Sequence, residues 1–220
     1  MRKSLKKLLL LSCALGTVFS TSPTNLYAQS NTATVSHYIV TADNYQLPYD
    51  GEEKEFANGI NPGYGSGLMF KSLNNDGSIE FYCVTDRGPN GDIPTYIKDG
   101  KAYPGKFFPT PKFTPSIGIL KIDQNKAQII DSIPLKDKNN HKISGKVIPF
   151  GAIGSTGEVA LDFQMNDLGT DVNGLDTEGI TRDKDGNFWL CDEYASSSSV
   201  WTAVLAAETS AAAAAWISGA

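Results

Sequence analysis

Gly174-Leu175-Asp176-Thr177-Glu178-Gly179-Ile180 runs on through Asp185-Gly186 to Phe188-Trp189-Leu190-Cys191-Asp192-Glu193-Tyr194. The stretch reads as an acidic loop, a short strand, a tight turn and an aromatic strand ending in polar residues. Asp-Gly between two apolar runs predicts a hairpin with a type I′ turn, which needs φ > 0 at both central positions. A looser copy stands earlier in the chain: Gly67-Leu68-Met69-Phe70, then Asp76-Gly77, then Phe81-Tyr82-Cys83-Val84-Thr85-Asp86-Arg87. Two hairpins on one plan predict repeated β modules.

The surrounding chain has the same character. From His37 onward, short β-type runs alternate with Gly, Pro, Asn and Asp. Ser66–Ser72 and Ser78–Thr85 form one expected hairpin about Asn74-Asn75-Asp76-Gly77. Ser116–Asp123 and Lys126–Ile133 form another, turning at Gln124-Asn125, with Ile117, Ile119 and Ile122 facing Ile129 and Ile130. Residues 86–114 read as one long loop rich in aromatics, a length that points to a lid or a functional segment. No segment before Tyr194 has a helical period. The expectation is an all-β fold, a β-propeller-like series of antiparallel hairpins forming an incomplete propeller.

The N-terminus reads as a signal peptide over residues 1–28. Arg2, Lys3, Lys6 and Lys7 precede an apolar run from Leu8 to Phe19 and a small-residue site at Leu26-Tyr27-Ala28. That run is too short to span a bilayer, and the expected location is therefore extracellular. Cleavage would remove four of the 19 basic and none of the 24 acidic residues, leaving a formal charge of −9. Such a chain is a poor nucleic-acid binder. Cys83 and Cys191 both lie in apolar strand runs, where a buried thiol is the simpler reading than a bridge. Residues 29–36 read as a polar linker, 37–194 as the domain, and 195–220 as an Ala/Ser-rich tail. The tail fits a helix by propensity or a weak membrane anchor opposed by Glu208. The break in composition favours residues foreign to the domain, with no stable membrane insertion.

Between Glu158 and Glu193 there are ten acidic residues against Arg182 and Lys184 alone. Acidic loops on a β scaffold suit a hard cation, since Ca²⁺ takes oxygen ligands; they equally serve as turn residues and solubilising charge. One hairpin brings Asp176, Glu178, Asp192 and Glu193 into one neighbourhood. Asp183-Lys184-Asp185-Gly186 lacks the full spacing of an EF-hand loop and reads as a turn. Asp86-Arg87 ends the earlier hairpin, either as an ion pair fixing a loop or with Arg87 as a planar fork for phosphate. Ser66 in Gly63-Tyr64-Gly65-Ser66-Gly67 has the wrong spacing for a nucleophile elbow. His37 and His141 read as surface residues. No phosphate loop, dinucleotide fingerprint or zinc-type cluster is present.

Six short elements occur in order: Asp86-Arg87-Gly88-Pro89, Phe113-Thr114-Pro115, Ile133-Pro134-Leu135, Ile143-Ser144-Gly145, and the two segments quoted at the outset. Together, over about 37–194, they resemble secreted phytase-like proteins carrying the "esterase-like activity of phytase" label. The resemblance departs after Tyr194, where family members continue Gly-Pro and this chain has Ala195-Ser196. It implies a propeller hydrolase acting on a small phosphate ester, with Ca²⁺ as cofactor. Asp86, Glu178 and Glu193 are then the expected catalytic residues. Asp176, Glu178, Asp192 and Glu193 are the expected cation ligands, and Arg87 the expected phosphate contact. A non-catalytic extracellular binding propeller and a sugar-lactonase-like propeller are the alternatives.

Overall fold

The computed structural model describes residues 35–49, 51–52 and 54–194, with the backbone of Thr202–Ala206 and Ala215–Ser218. The expected signal peptide, residues 29–34 of the polar linker, and residues 195–201, 207–214 and 219–220 of the tail lie outside the described residues.

The described chain is an all-β, propeller-like set of antiparallel hairpins. In order, its strands are β1 (Val40–Thr41), β2 (Gly67–Leu73), β3 (Ile79–Val84), β4 (Gly91–Lys98), β5 (Lys101–Phe107) and β6 (Ser116–Asp123). They continue as β7 (Lys126–Asp137), β8 (Val159–Leu161), β9 (Thr177–Arg182), β10 (Phe188–Asp192), β11 (Thr202–Ala206) and β12 (Ala215–Ser218). The larger sheet runs β2-β3-β6-β7-β12-β11-β10-β9, with β1 beside β7; β4-β5-β8 form a smaller sheet. Every contact in β2-β3-β6-β7 and in β9-β10-β11-β12 is antiparallel, and β7 and β12 join them in parallel.

Strand alternation gives the first module two apolar faces. Tyr82, Val84, Ile117 and Ile133 point one way and pack with Phe188 and Leu190 of β10 into one core, closed by Leu135, Ile143 and Leu175. Each fully buried large side chain there contributes roughly 2 kcal/mol. Tyr82 meets Phe188 edge to face at 4.7 Å, and the Arg182 guanidinium lies over both rings. Cys83, Leu120 and Ile129 point the other way, beneath Ala42, Tyr45 and Tyr64 of the N-terminal segment. The two copies of the hairpin also touch directly. A Cβ placed on Gly67 of β2 would stand 2.9 Å from the Gly179 Cα of β9.

The structure corrects four expectations. The Asp185-Gly186 hairpin forms, but only Gly186 has positive φ. Gly186 N–H donates to the Asp183 carbonyl and Asp183 N–H to the Asn187 carbonyl, which is a type I turn closed by a left-handed glycine. The Asp183 carboxylate selects this form by accepting from the backbone N–H groups of Asp185 and Asn187. The Asn74–Ser78 turn repeats the pattern, with Gly77 N–H donating to Asn74 and Asn74 N–H to Ser78. The stretch 86–114 is not one loop, because β4 and β5 make a hairpin whose Asp99-Gly100 turn has φ of 50° and 71°. The type I′ geometry expected at Asp185-Gly186 is found there. Ile130 is exposed, because a register shift sets Ile119 opposite Asp131 and Leu120 opposite Ile129, leaving Ile130 unpaired. Cys83 is buried and Cys191 exposed, and both are free thiols. Cys191 is thus no buried strand thiol: it lies next to the register shift at the end of β10.

Candidate functional site

The end of β10 and the loop entering β9 are tied by main-chain hydrogen bonds. Glu193 N–H donates to the Asp176 carbonyl at 2.8 Å. The Asp192 carboxylate accepts from Asp176 N–H at 2.8 Å and from Tyr194 N–H at 3.2 Å. Thr177 is buried, and its hydroxyl donates to the Thr85 carbonyl of the first module. A register shift between Cys191 and Asp192 places a bulge at the strand end, a device that re-aims side chains beside functional sites.

Those ties bring three carboxylates together. One oxygen from each of Asp176, Glu178 and Glu193 lies within 4.8 Å of the others. Asp176 is buried, and Glu178 and Glu193 are exposed. Ser66, at the entry to β2, stands beside the Glu178 carboxylate and favours its ionised form. Asp86 is half-buried; its carboxylate accepts from Gly88 N–H at 2.7 Å and folds its own loop. Asp192 stands outside the trio, occupied with the two backbone N–H groups.

Arg87 is turned inward. Its backbone N–H donates to Asp176 Oδ1 at 3.1 Å, and its Nε stands 3.2 Å from Asp176 Oδ2. Its Nη1 donates to Glu158 Oε2 and to the Tyr194 hydroxyl, each at 2.9 Å. The side chain is 12% exposed. The ion pair open to it in the sequence is real, but the partners are Asp176 and Glu158, not the adjacent Asp86. Beyond Glu158, Lys106 stands at 3.9 Å and reaches Asp92 at 2.5 Å.

The electrostatics of the cluster are strained. Burial pushes the Asp176 carboxyl up to about 6, helped by the charges of Asp86 and Glu178 and opposed by Arg87. Glu178 is raised by burial and by Glu193 and Asp86, with Ser66 and Arg87 pulling the other way. Burial likewise raises Asp192 and Tyr194. Like charges at this spacing repel by about 1 kcal/mol per pair even at the dielectric of water. Carboxylates with perturbed proton affinity cluster at functional sites. A cleft of about 280 Å³ approaches the same loops from Asp192 and Tyr194, lined further by Ile143, Ile148 and Val172. The trio does not line it, and meets solvent directly through Glu178 and Glu193.

Sequence reasoning missed Glu158, Ser66 and the hydroxyl of Tyr194. Only the last carried a local signal, as the end of the Asp-Glu-Tyr element. His141 is exposed beside Asp137, as expected of a surface residue.

A protein-family model described as phytase-like, esterase-like activity of phytase, matches residues 64–214, more than half of the chain. The chain belongs to this family. At family level it is a phytase-like hydrolase, and the matched span contains the trio, Asp86, Arg87 and Asp192. It also runs past Tyr194 into the Ala/Ser-rich stretch. Comparison with curated proteins gave no match, and comparison with solved structures gave none.

Proposed function

We propose that this phytase-like chain is an extracellular hydrolase of small phosphate esters whose site is the Asp176, Glu178 and Glu193 trio, loaded with a divalent cation, Ca²⁺ first. The observation that carries the reading is the convergence of those carboxylates at an exposed edge of an acidic protein. A substrate rich in negative charge needs a counter-charge there. The donor set fits. Two oxygens on one Ca²⁺ lie at most about 5 Å apart, given metal–oxygen distances near 2.4 Å, and the trio's oxygens meet that limit. Three carboxylates leave positions for water or phosphate oxygens.

A bound cation would neutralise and polarise the phosphoryl oxygens. The chain's own residues do the rest. Arg87 holds Asp176 through both of its carboxylate oxygens, so its part in this reading is to orient that ligand; phosphate contact passes to the loaded site. Ser66 favours the ionised form of Glu178. Glu178 and Glu193 are the solvent-facing carboxylates able to accept a proton from an attacking water, and the charge of Asp86 favours a proton on Glu178. Asp192 shapes the loop.

Phosphate release from p-nitrophenyl phosphate, with and without millimolar Ca²⁺, tests the reading. Ca²⁺-dependent release that falls at least about a hundredfold in E178Q and E193Q is expected for a general base. Release indifferent to both substitutions, or none in any metal, would remove the proposal.

A further inference from the structure

Two of the six short elements take no part in the acidic site: Phe113-Thr114-Pro115 and Ile133-Pro134-Leu135. They meet elsewhere. A cavity of about 440 Å³ is lined by Leu47, Pro48, Pro111, Phe113 and Pro134, with Thr110, Thr114 and Ser116 as polar wall and Lys112 and Lys142 as cations. That volume lies within the range of small-molecule sites, which pair an apolar lining with a few placed polar groups. The walls are fixed from several directions. Phe113 N–H donates to the Thr110 carbonyl, closing a turn through Pro111. Ser116 pairs with Pro134 across β6 and β7, and Lys142 bridges to Lys136 of β7.

Two observations point to an occupant. Thr110 is 6% exposed, and its hydroxyl is the one buried side-chain polar atom among the described residues with no hydrogen-bond partner. Buried hydroxyls are ordinarily satisfied. Lys112 and Lys142 are both exposed, and among the described residues neither has a carboxylate partner. On a chain with a formal charge of −5, an unneutralised lysine pair beside an apolar groove is complementary to an anion.

We propose that this groove binds a small organic anion with an apolar ring body. The ring lies against Phe113, Pro111, Pro134 and Leu47, and the anionic group is shared by the ammonium groups of Lys112 and Lys142. A polar atom of the ligand supplies the Thr110 hydroxyl with its missing partner. The inference does not depend on the acidic trio.

Naphthalene-1-sulfonate is the test probe, since it has a ring body and an anion that no phosphatase can remove. Calorimetric titration into the full chain should give saturable one-to-one binding. K112A/K142A should weaken it about tenfold, the sum of two partly exposed charge contacts. T110V should weaken it while raising the melting temperature of the free protein, because it deletes an unpaired hydroxyl. E178Q should bind as the parent does. Absence of saturable binding, or equal binding by either the lysine or the threonine variant, overturns the proposal.

Discussion

Arg87 and Asp176, 89 residues apart in the chain, meet twice: backbone N–H to Oδ1 at 3.1 Å and guanidinium Nε to Oδ2 at 3.2 Å. The first contact fixes the loop after β3 to the loop before β9. The second supplies the charge that a buried carboxylate needs. Removing one partner of such a pair leaves the other buried and uncompensated.

R87M should therefore lower unfolding free energy by about 3 kcal/mol, read from urea denaturation at neutral pH. R87K should recover little of it, because one ammonium cannot serve Asp176, Glu158 and Tyr194 with the geometry of a planar fork. A lysine variant as stable as the parent would show that charge alone suffices.

Gly145 lies against the same arginine. A Cβ at Gly145 would overlap the Arg87 carbonyl oxygen, whereas a Cβ at Gly63 would meet nothing within 4 Å. G145A is expected to cost about 1–3 kcal/mol through overpacking, and G63A to stay within about 0.5 kcal/mol of the parent. Paired thermal melts of the two variants check this.

The trio should be better tolerated once one charge is gone. E178Q without metal should melt higher than the parent, since repulsion from Glu193 and Asp86 is relieved. In millimolar Ca²⁺ the order should reverse, because ligand binding raises the melting temperature of the protein that binds it. Equal Ca²⁺ shifts for parent and E178Q would take Glu178 out of any cation site.

Acid should act through the turns. Trp189 Nε1 and the Asn187 side chain hold the Asp183 carboxyl down to about 2. Its ionised form therefore stabilises the fold fully above about pH 4, the unfolded value, and that contribution is lost as pH falls from 4 toward 2. D183N should melt below the parent at pH 6, and the gap should close by pH 2. A gap constant with pH would mean the turn is held without the carboxylate's charge.

The all-β plan was legible because period-two alternation and Asp-Gly or Asn-Asp-Gly turns mark hairpins locally. The β4–β5 hairpin was hidden by Pro94 and Pro104, which argue against strands. In the structure both fall at the break in pairing between Ile93 and Tyr96, where no ladder N–H is required of them. The meeting of Asp176, Glu178 and Glu193 was legible because a hairpin carries both ends of its strands to one place. Which of the neighbouring carboxylates would instead cap backbone was not. Asp192 and Glu193 are adjacent, and the register shift that sets Asp192 opposite Thr177 leaves Glu178 as the unpaired residue of β9. Arg87's partners lie 71 and 89 residues away, beyond the reach of spacing arguments.

The contact between Gly67 and Gly179 has a mechanical meaning. Ser66 and Glu178 are the residues just before these glycines, so the separation of their backbones is gauged by the close approach of β2 and β9. A methyl group on Gly67 would act as a shim, whereas one on Gly179 would face Cys191 within its own hairpin at 3.3 Å. The shim would widen the gap between the modules and draw Ser66 and Asp86 away from the trio, whose three members all stand on the second module.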